Sequence, residues 1–226
     1  MSAPEFSANV TVPYRSRVSA GALAKGDRLR SDRINGALGA VTIGREIVVL
    51  EQIGSTNDAI HELAKNDAPE GLVIFAEHQT AGRGQRGNFW VSSERKGLSF
   101  SVLLRPGIAV EDSGLITIWA ANTVVSTISS SCQVDVSVKS PNDVYIAERK
   151  VAGVLVEMKA QPGAPHFAIL GVGLNVNQNF SDFPTELQDR ATSLAIATGR
   201  TYDRNELAIA LLHNLDRTYR QIVARP

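Results

Sequence analysis

The sequence predicts an α+β fold, a mixed and largely antiparallel sheet with flanking helices. Three observations predict it. Strand-like runs cluster between few helices, the pattern of a segregated sheet. Apolar residues recur at helical spacing in only a few stretches, the longest at residues 113–129 and 204–223. A chain of 226 residues, 43% hydrophobic and 20% charged, has an ordinary globular composition and enough length for one sizeable core.

The elements follow in order. Residues 1–40 carry six lysines and arginines against three acids among many Ser, Ala and Gly without clear periodicity, and read as a flexible arm ahead of one domain over 41–226. Residues 45–53 read as the first core strand. Ser55 then opens a helix, with an acid, Asp58, three positions on and an apolar stripe of Ile60, Leu63 and Ala64. Strands at 72–77 and 98–104 flank a glycine-rich loop, and Pro106-Gly107 breaks the second. Leu115, Ile118, Trp119, Val125 and Ser129 mark the helix at 113–129. Four strand-like runs follow at 134–139, 144–147, 151–159 and 166–175, the last pair joined by a proline-bearing loop at 161–165. A closing helix over 204–223 turns Leu207, Leu211, Leu215, Tyr219 and Ile222 inward. No internal repeat is present.

The loop Gly82-Arg83-Gly84-Gln85-Arg86-Gly87, followed by Asn88-Phe89-Trp90, reads as an anion holder. Glycines let backbone N–H groups approach a phosphate, and arginine forks hold its oxygens bidentately. Its spacing matches the dinucleotide fingerprint literally, but no helix opens behind it, which excludes that fold. Phe89 and Trp90 either wall a ligand or pack the loop onto the sheet. The four histidines, His61, His78, His166 and His213, show no metal spacing.

The loop has companions in a fixed order. Upstream lies Glu51-Gln52-Ile53-Gly54-Ser55-Thr56-Asn57. Downstream come Lys139-Ser140-Pro141-Asn142-Asp143, Arg149-Lys150-Val151-Ala152-Gly153 and Gly171-Val172-Gly173-Leu174-Asn175. Over roughly residues 45–180 this series resembles the biotin protein ligases. The resemblance implies a catalytic domain like the class II aminoacyl-tRNA synthetases, with ATP and biotin as substrates and Mg2+ as cofactor. It also implies two steps: biotin's carboxylate attacks the α-phosphate of ATP, and the adenylate acylates a lysine of a biotin carboxyl carrier protein.

The resemblance implies roles for particular residues. Arg83, Lys139, Lys150 and Asp143 are the expected catalytic set. Ser55, Thr56, Asn57, Gln79, Arg83, Gly84, Gln85 and Lys150 are expected to bind biotin, and Arg83, Arg86, Trp90, Lys139 and Asn175 to bind ATP. Short polar side chains suit biotin's ureido ring, which both donates and accepts. Ser55 or Thr56 also fits as a helix cap, and Asn175 as a turn former. Asp143 is expected to hold magnesium or to orient the incoming lysine amine. The alternatives are a lipoate or octanoate transferase of the same superfamily, and a non-catalytic binder of biotin or its adenylate.

This chain departs from the family at three places: Gln85 where an arginine is common, Ser140 where a tryptophan is usual, and an end at Pro226 where relatives often continue into a small β-barrel. The first 40 residues lack the paired helices of a winged helix-turn-helix, and with a net charge of zero no DNA partner is expected. The single Cys132 excludes an intrachain disulfide, and no run resembles a membrane span or signal peptide. A cytoplasmic enzyme is expected, with an exposed strand edge to serve either its carrier or a twin subunit.

Overall fold

The structure is a computed structural model, and it describes residues 28–139, 141–161 and 164–223. Its elements are α1 (Ser31–Leu38), β1 (Glu46–Ile53), α2 (Thr56–Ala64), β2 (Leu72–Gln79), β3 (Gly97–Leu104), α3 (Ser113–Cys132), β4 (Ser137–Lys139), β5 (Asp143–Ile146), β6 (Arg149–Gln161), β7 (Ala164–Asn175), α4 (Leu194–Thr198) and α5 (Arg204–Val223). Seven strands form one sheet in the order β1-β2-β3-β7-β6-β5-β4. Only β1 and β2 run parallel, joined through α2, and every other pair is antiparallel. The fold expected from the sequence is the fold observed.

Strand alternation divides the core in two. Val73, Phe75, Leu98, Phe100, Val102, Leu170, Val172 and Leu174 face one side, beneath α1, α3 and α5. Leu72, Ile74, Leu103, Phe167 and Ile169 face the other, where α2 covers them with Ile60 and Ala64. On that second side the surface changes character along the strands. Past Leu103 and Ile169, the same-facing positions are Ser101 and Ser99 on β3, Gly171 and Gly173 on β7, and Leu155 and Gly153 on β6. The register sets them in rows, Ser101↔Gly171↔Leu155 and Ser99↔Gly173↔Gly153. Small side chains there leave a trough beside the aliphatic core.

Several sequence expectations are corrected. Residues 28–40 are not a flexible arm. Leu29 is buried, α1 sinks Ile34 and Leu38 into the main core, and the Leu29 N–H donates to Glu77 Oε1 at 2.7 Å; residues 1–27 lie outside the described residues. The strand expected at 134–139 is only Ser137–Lys139, and Ala147 leaves the next strand in a left-handed turn at φ 51°. α4 is an element the periodicity did not reveal, too short to repeat a pattern. With the turn before it, α3 is apolar enough over Val110–Cys132 to cross a membrane by length and composition, against the reading that no such run exists. Half of it is instead buried here, with Ile116, Ala120, Val124 and Ile128 packed into the core.

At the base of β2 a wholly buried ion pair joins distant parts of the chain. Arg204 Nη1 lies 2.6 Å from Glu77 Oε2 and donates to the Gly97 carbonyl at 3.1 Å. Glu77 thereby ties the chain before α1, the start of α5 and the start of β3 to one strand.

Candidate functional site

The trough opens into a cleft of about 300 Å³ between the glycine-rich loop, the start of α2 and β4–β6. At one end a relay of polar side chains crosses the floor. Gln79 Oε1 accepts from the Thr56 N–H at 2.7 Å and from its hydroxyl at 3.0 Å. The Thr56 hydroxyl lies 2.7 Å from Ser101 Oγ, which donates to Asn57 Oδ1 at 2.5 Å. Asn57 Nδ2 donates to Glu157 Oε2 at 2.8 Å. Ser55 begins α2 without a side-chain capping bond, so the expected capping box does not form. Gln79 from β2 satisfies the first helical N–H instead, and the cap and the cleft floor share one network.

The other end is cationic. Lys150 Nζ approaches Asp143 Oδ1 to 2.6 Å, an ion-pair contact that leaves Oδ1 buried without an aligned hydrogen bond. Both residues are held by backbone ties. The Lys150 N–H donates to Arg190 O at 2.8 Å and its carbonyl accepts from Thr192 N at 2.8 Å. Asn142 and Val154 exchange bonds at 2.9 and 3.0 Å, fixing the turn before Asp143. Lys139 lines the same wall, 5.3 Å from the Tyr145 ring centroid, and Arg86 faces the cleft from the loop.

The loop closes on itself. Gly84 N donates to Asn88 O at 2.7 Å and Trp90 N to Gly82 O at 2.8 Å. Arg86 takes a left-handed backbone, φ 57°, where glycine is the easy residue. The Trp90 indole lies against the backbone of Gly173: a Cβ built there would stand 2.3 Å from the ring. Trp90 therefore walls the cleft, and Phe89, 82% exposed, lines its rim without packing the loop onto the sheet.

Most expected site residues meet here: Ser55, Thr56, Asn57, Gln79, Arg83, Gly84, Gln85, Arg86, Trp90, Lys139, Asp143 and Lys150 all line the cleft. Asn175 does not. It is buried, donating to Thr192 O at 2.9 Å and accepting from Gln178 Nε2 at 3.1 Å, so its amide is used within the fold. Ser140 lies outside the described residues. The Arg83 guanidinium, expected at a phosphate, is bound in this structure to the carboxylates of Glu157 and Asp58. Partial burial pulls its pKa down, but those carboxylates outweigh it and raise it above the ordinary arginine value. Burial likewise pushes the Glu157 carboxyl up, yet hydrogen bonds from Asn57 and Arg83 hold it below the usual glutamate range. Glu157, Asp58 and Ser101 are site residues the sequence did not reveal. The one available signal was an acid in the strand run 151–159, in phase with Gly153 and Leu155. Among the described residues, no three His, Cys, Asp or Glu cluster as metal ligands.

A glycine-floored cleft on an α+β sheet, neutral and hydrogen-bonding at one end and lined by lysines and an arginine at the other, has the shape and charge to suit an elongated small molecule with an anionic terminus. The profile of the Biotin/lipoate A/B protein ligase family matches residues 49–175, and the chain belongs to that family. It is 37% identical over 198 residues to the bifunctional ligase/repressor BirA of Bacillus spizizenii, covering 88% of this chain and 61% of that relative. It is 37% identical over 184 residues to the biotin–[acetyl-CoA-carboxylase] ligase of Mycobacterium tuberculosis, covering 79% and 66%. The chain thus spans less than two thirds of the length of either relative. Among solved structures, the biotin protein ligase of Aquifex aeolicus in complex with biotin and ATP superposes with a TM-score of 0.69 at 33% identity, covering 78% of this chain and 71% of that one.

Proposed function

We propose that this protein is an ATP-dependent biotin–protein ligase that forms biotinyl-adenylate and passes the biotinyl group to a lysine of a biotin carboxyl carrier domain. The observation that carries this reading is the polarity of the cleft. The Gln79–Thr56–Ser101–Asn57 relay suits a ureido ring that donates and accepts, and Lys150, Lys139 and Arg86 suit a carboxylate and phosphates at the other end. A lipoyl head, which offers no such partners, would leave the relay unanswered.

The chemistry follows from charge. A carboxylate is already a nucleophile at neutral pH, so activation needs no base. Biotin's carboxylate oxygen attacks the α-phosphorus, the bond to the β-phosphate oxygen breaks, and pyrophosphate leaves. Lys150, at the start of β6 with its ammonium beside Gly153, would neutralise the charge gathered on the attacking carboxylate and the α-phosphate. In transfer, the carrier's amine attacks the acyl carbon and AMP departs. An amine with pKa ~10.4 must first lose a proton, and Asp143 is the carboxylate lining this end of the cleft. Asp143, whose Oδ1 is ion-paired with Lys150, is also the carboxylate that would meet a magnesium ion delivered with the triphosphate, which takes few protein carboxylates and most of its ligands from phosphate and water. Such an ion would offset phosphate charge. A buried, unpaired Cys132 suits a reducing cytoplasm.

Biotin-dependent exchange of pyrophosphate into ATP by the purified protein, with magnesium, tests the first step. A carrier domain gaining one biotin by mass tests the second. No exchange under saturating substrates overturns the reading.

A further inference from the structure

The loop from Gly82 to Trp90 is a finger closed by its own backbone bonds. Among the described residues, its side chains make only three hydrogen bonds to anything, and all three come from Arg83. Nη1 donates to Glu157 Oε1 at 3.1 Å, and Nη2 donates to Glu157 Oε2 and to Asp58 Oδ1, each at 2.7 Å. The Glu157 contact is a bidentate fork, the strong geometry for this pair, and the Glu157 side chain is 17% exposed. Asp58 is 61% exposed and adds little. The same Oε2 also accepts from Asn57, so Glu157 is where the loop meets the relay across the cleft floor.

Position separates this contact from the reacting end. The Lys150 ammonium lies beside Gly153. Glu157 is four residues further along β6, roughly 13 Å at the usual strand rise. A phosphate held by Lys150 is therefore out of reach of a guanidinium docked on Glu157.

We propose that Glu157 is a positioning residue that latches the glycine-rich loop through Arg83, and that Arg83 serves as the bolt of this latch instead of as a phosphate ligand. Because Asn57 shares the same carboxylate, a ligand head seated on the relay tightens the latch, and the loop then retains the acyl-adenylate. The kinetic part rests on the ligase reading above; the loop's attachment does not.

The test uses the full chain with the substitutions Glu157→Gln, Arg83→Gln, both together, and Lys150→Ala. In the ligand-free protein, tryptic cleavage after Arg86 should be about tenfold faster in either latch variant, the effect of losing one charge-assisted pair. Preformed biotinyl-adenylate should dissociate faster by a similar factor. At saturating biotin and ATP, kcat for pyrophosphate exchange should fall by a smaller factor than the adenylate off-rate rises, and the double variant should be no worse than the worse single one. Lys150→Ala should do the reverse, losing kcat with the loop still protected. Unchanged cleavage in Glu157→Gln overturns the latch. So does an Arg83→Gln variant that loses kcat like Lys150→Ala while its loop stays protected, which would make Arg83 a phosphate ligand. If Glu157→Gln does not fold, Glu157→Asp and Arg83→Gln carry the same comparison. If wild type catalyses no exchange, the ligase reading falls, and the ligand-free cleavage rates still decide the latch.

Discussion

Gly173→Ala should cripple ligand binding while leaving the fold intact. A Cβ on Gly173 would stand 2.3 Å from Trp90 Cε2 and 2.7 Å from Cδ2 and Cζ2. Non-bonded carbons settle at ~3.5–4.0 Å, so the indole must retreat by roughly 1 Å or more. In a sealed core such overpacking costs about 1–3 kcal/mol. Trp90 is only partly buried and sits at the end of the loop, so the ring can swing outward and thermal stability should change little. The cost then falls on any ligand that uses the ring as a wall, roughly 5- to 150-fold in affinity. Calorimetric titration with a non-hydrolysable ATP analogue in the presence of biotin reads this directly. Gly36→Ala in α1 is the control, since nothing lies within 4 Å of its Cβ position, and it should stabilise by about 0.5–1 kcal/mol. Wild-type affinity in Gly173→Ala would refute the idea that Trp90 walls the ligand. A collapse in Tm would instead assign Gly173 to sheet packing.

Lys150→Ala should slow adenylate formation about a hundred- to a thousandfold, measured by pyrophosphate exchange, because a preorganised charge partner in the transition state contributes ~2.7–4 kcal/mol. Its pair with Asp143 is about one-third exposed on each side, so urea unfolding should shift by less than ~1 kcal/mol. Glu77→Gln removes one charge partner of the buried Arg204 and should cost up to about 3–5 kcal/mol, seen as an earlier urea midpoint; wild-type stability would mean the pair is dispensable. The Glu157 carboxyl is depressed in the folded state, so its contribution is fully present above the ordinary glutamate value of ~4.3 and is lost as pH falls through its lower folded value. Loop protection from an acid-active protease should accordingly persist at the ordinary glutamate value and fade only at lower pH. Gln85→Arg adds a charge beside the ligand and should slow adenylate release about tenfold; equal off-rates would mean that Arg86, which faces the same cleft, already makes that contact.

The parts of this molecule that repeat were legible in its sequence. Period-2 runs gave the strands, and apolar spacing gave α3 and α5, whose Leu207, Leu211, Leu215 and Tyr219 are buried as expected. Local motifs gave most of the cleft, because Ser55-Thr56-Asn57, the glycine loop and Lys150 each sit at a strand or helix end that the sheet brings to one side. What stayed hidden depends on partners far apart in the chain. Glu77 and Arg204 are 127 residues apart, and Ser101 joins Asn57 from 44 residues away. Asn175 looked like a ligand contact because it closes a site-lining strand, but the segment at 178–192 returns to occupy its amide.

Arg83 carries the argument furthest. A guanidinium offers the same planar fork to a carboxylate as to a phosphate, so an arginine among glycines announces that an anion is near without saying which. The deciding residue is Glu157, 74 positions later, on a strand whose preceding same-facing members, Gly153 and Leu155, are small or apolar and whose next, Lys159, lies 3.9 Å from the same carboxylate. A carboxylate on a cleft wall meant for an anionic substrate would repel it. Bound by Arg83 and Asn57, that charge is neutralised at the end where the ligand is neutral, while Lys139, Arg86 and the Asp143-paired Lys150 line the other. The latch and the polarity of the cleft are then one arrangement, since removing Glu157 frees a positive charge at the neutral end as it releases the loop.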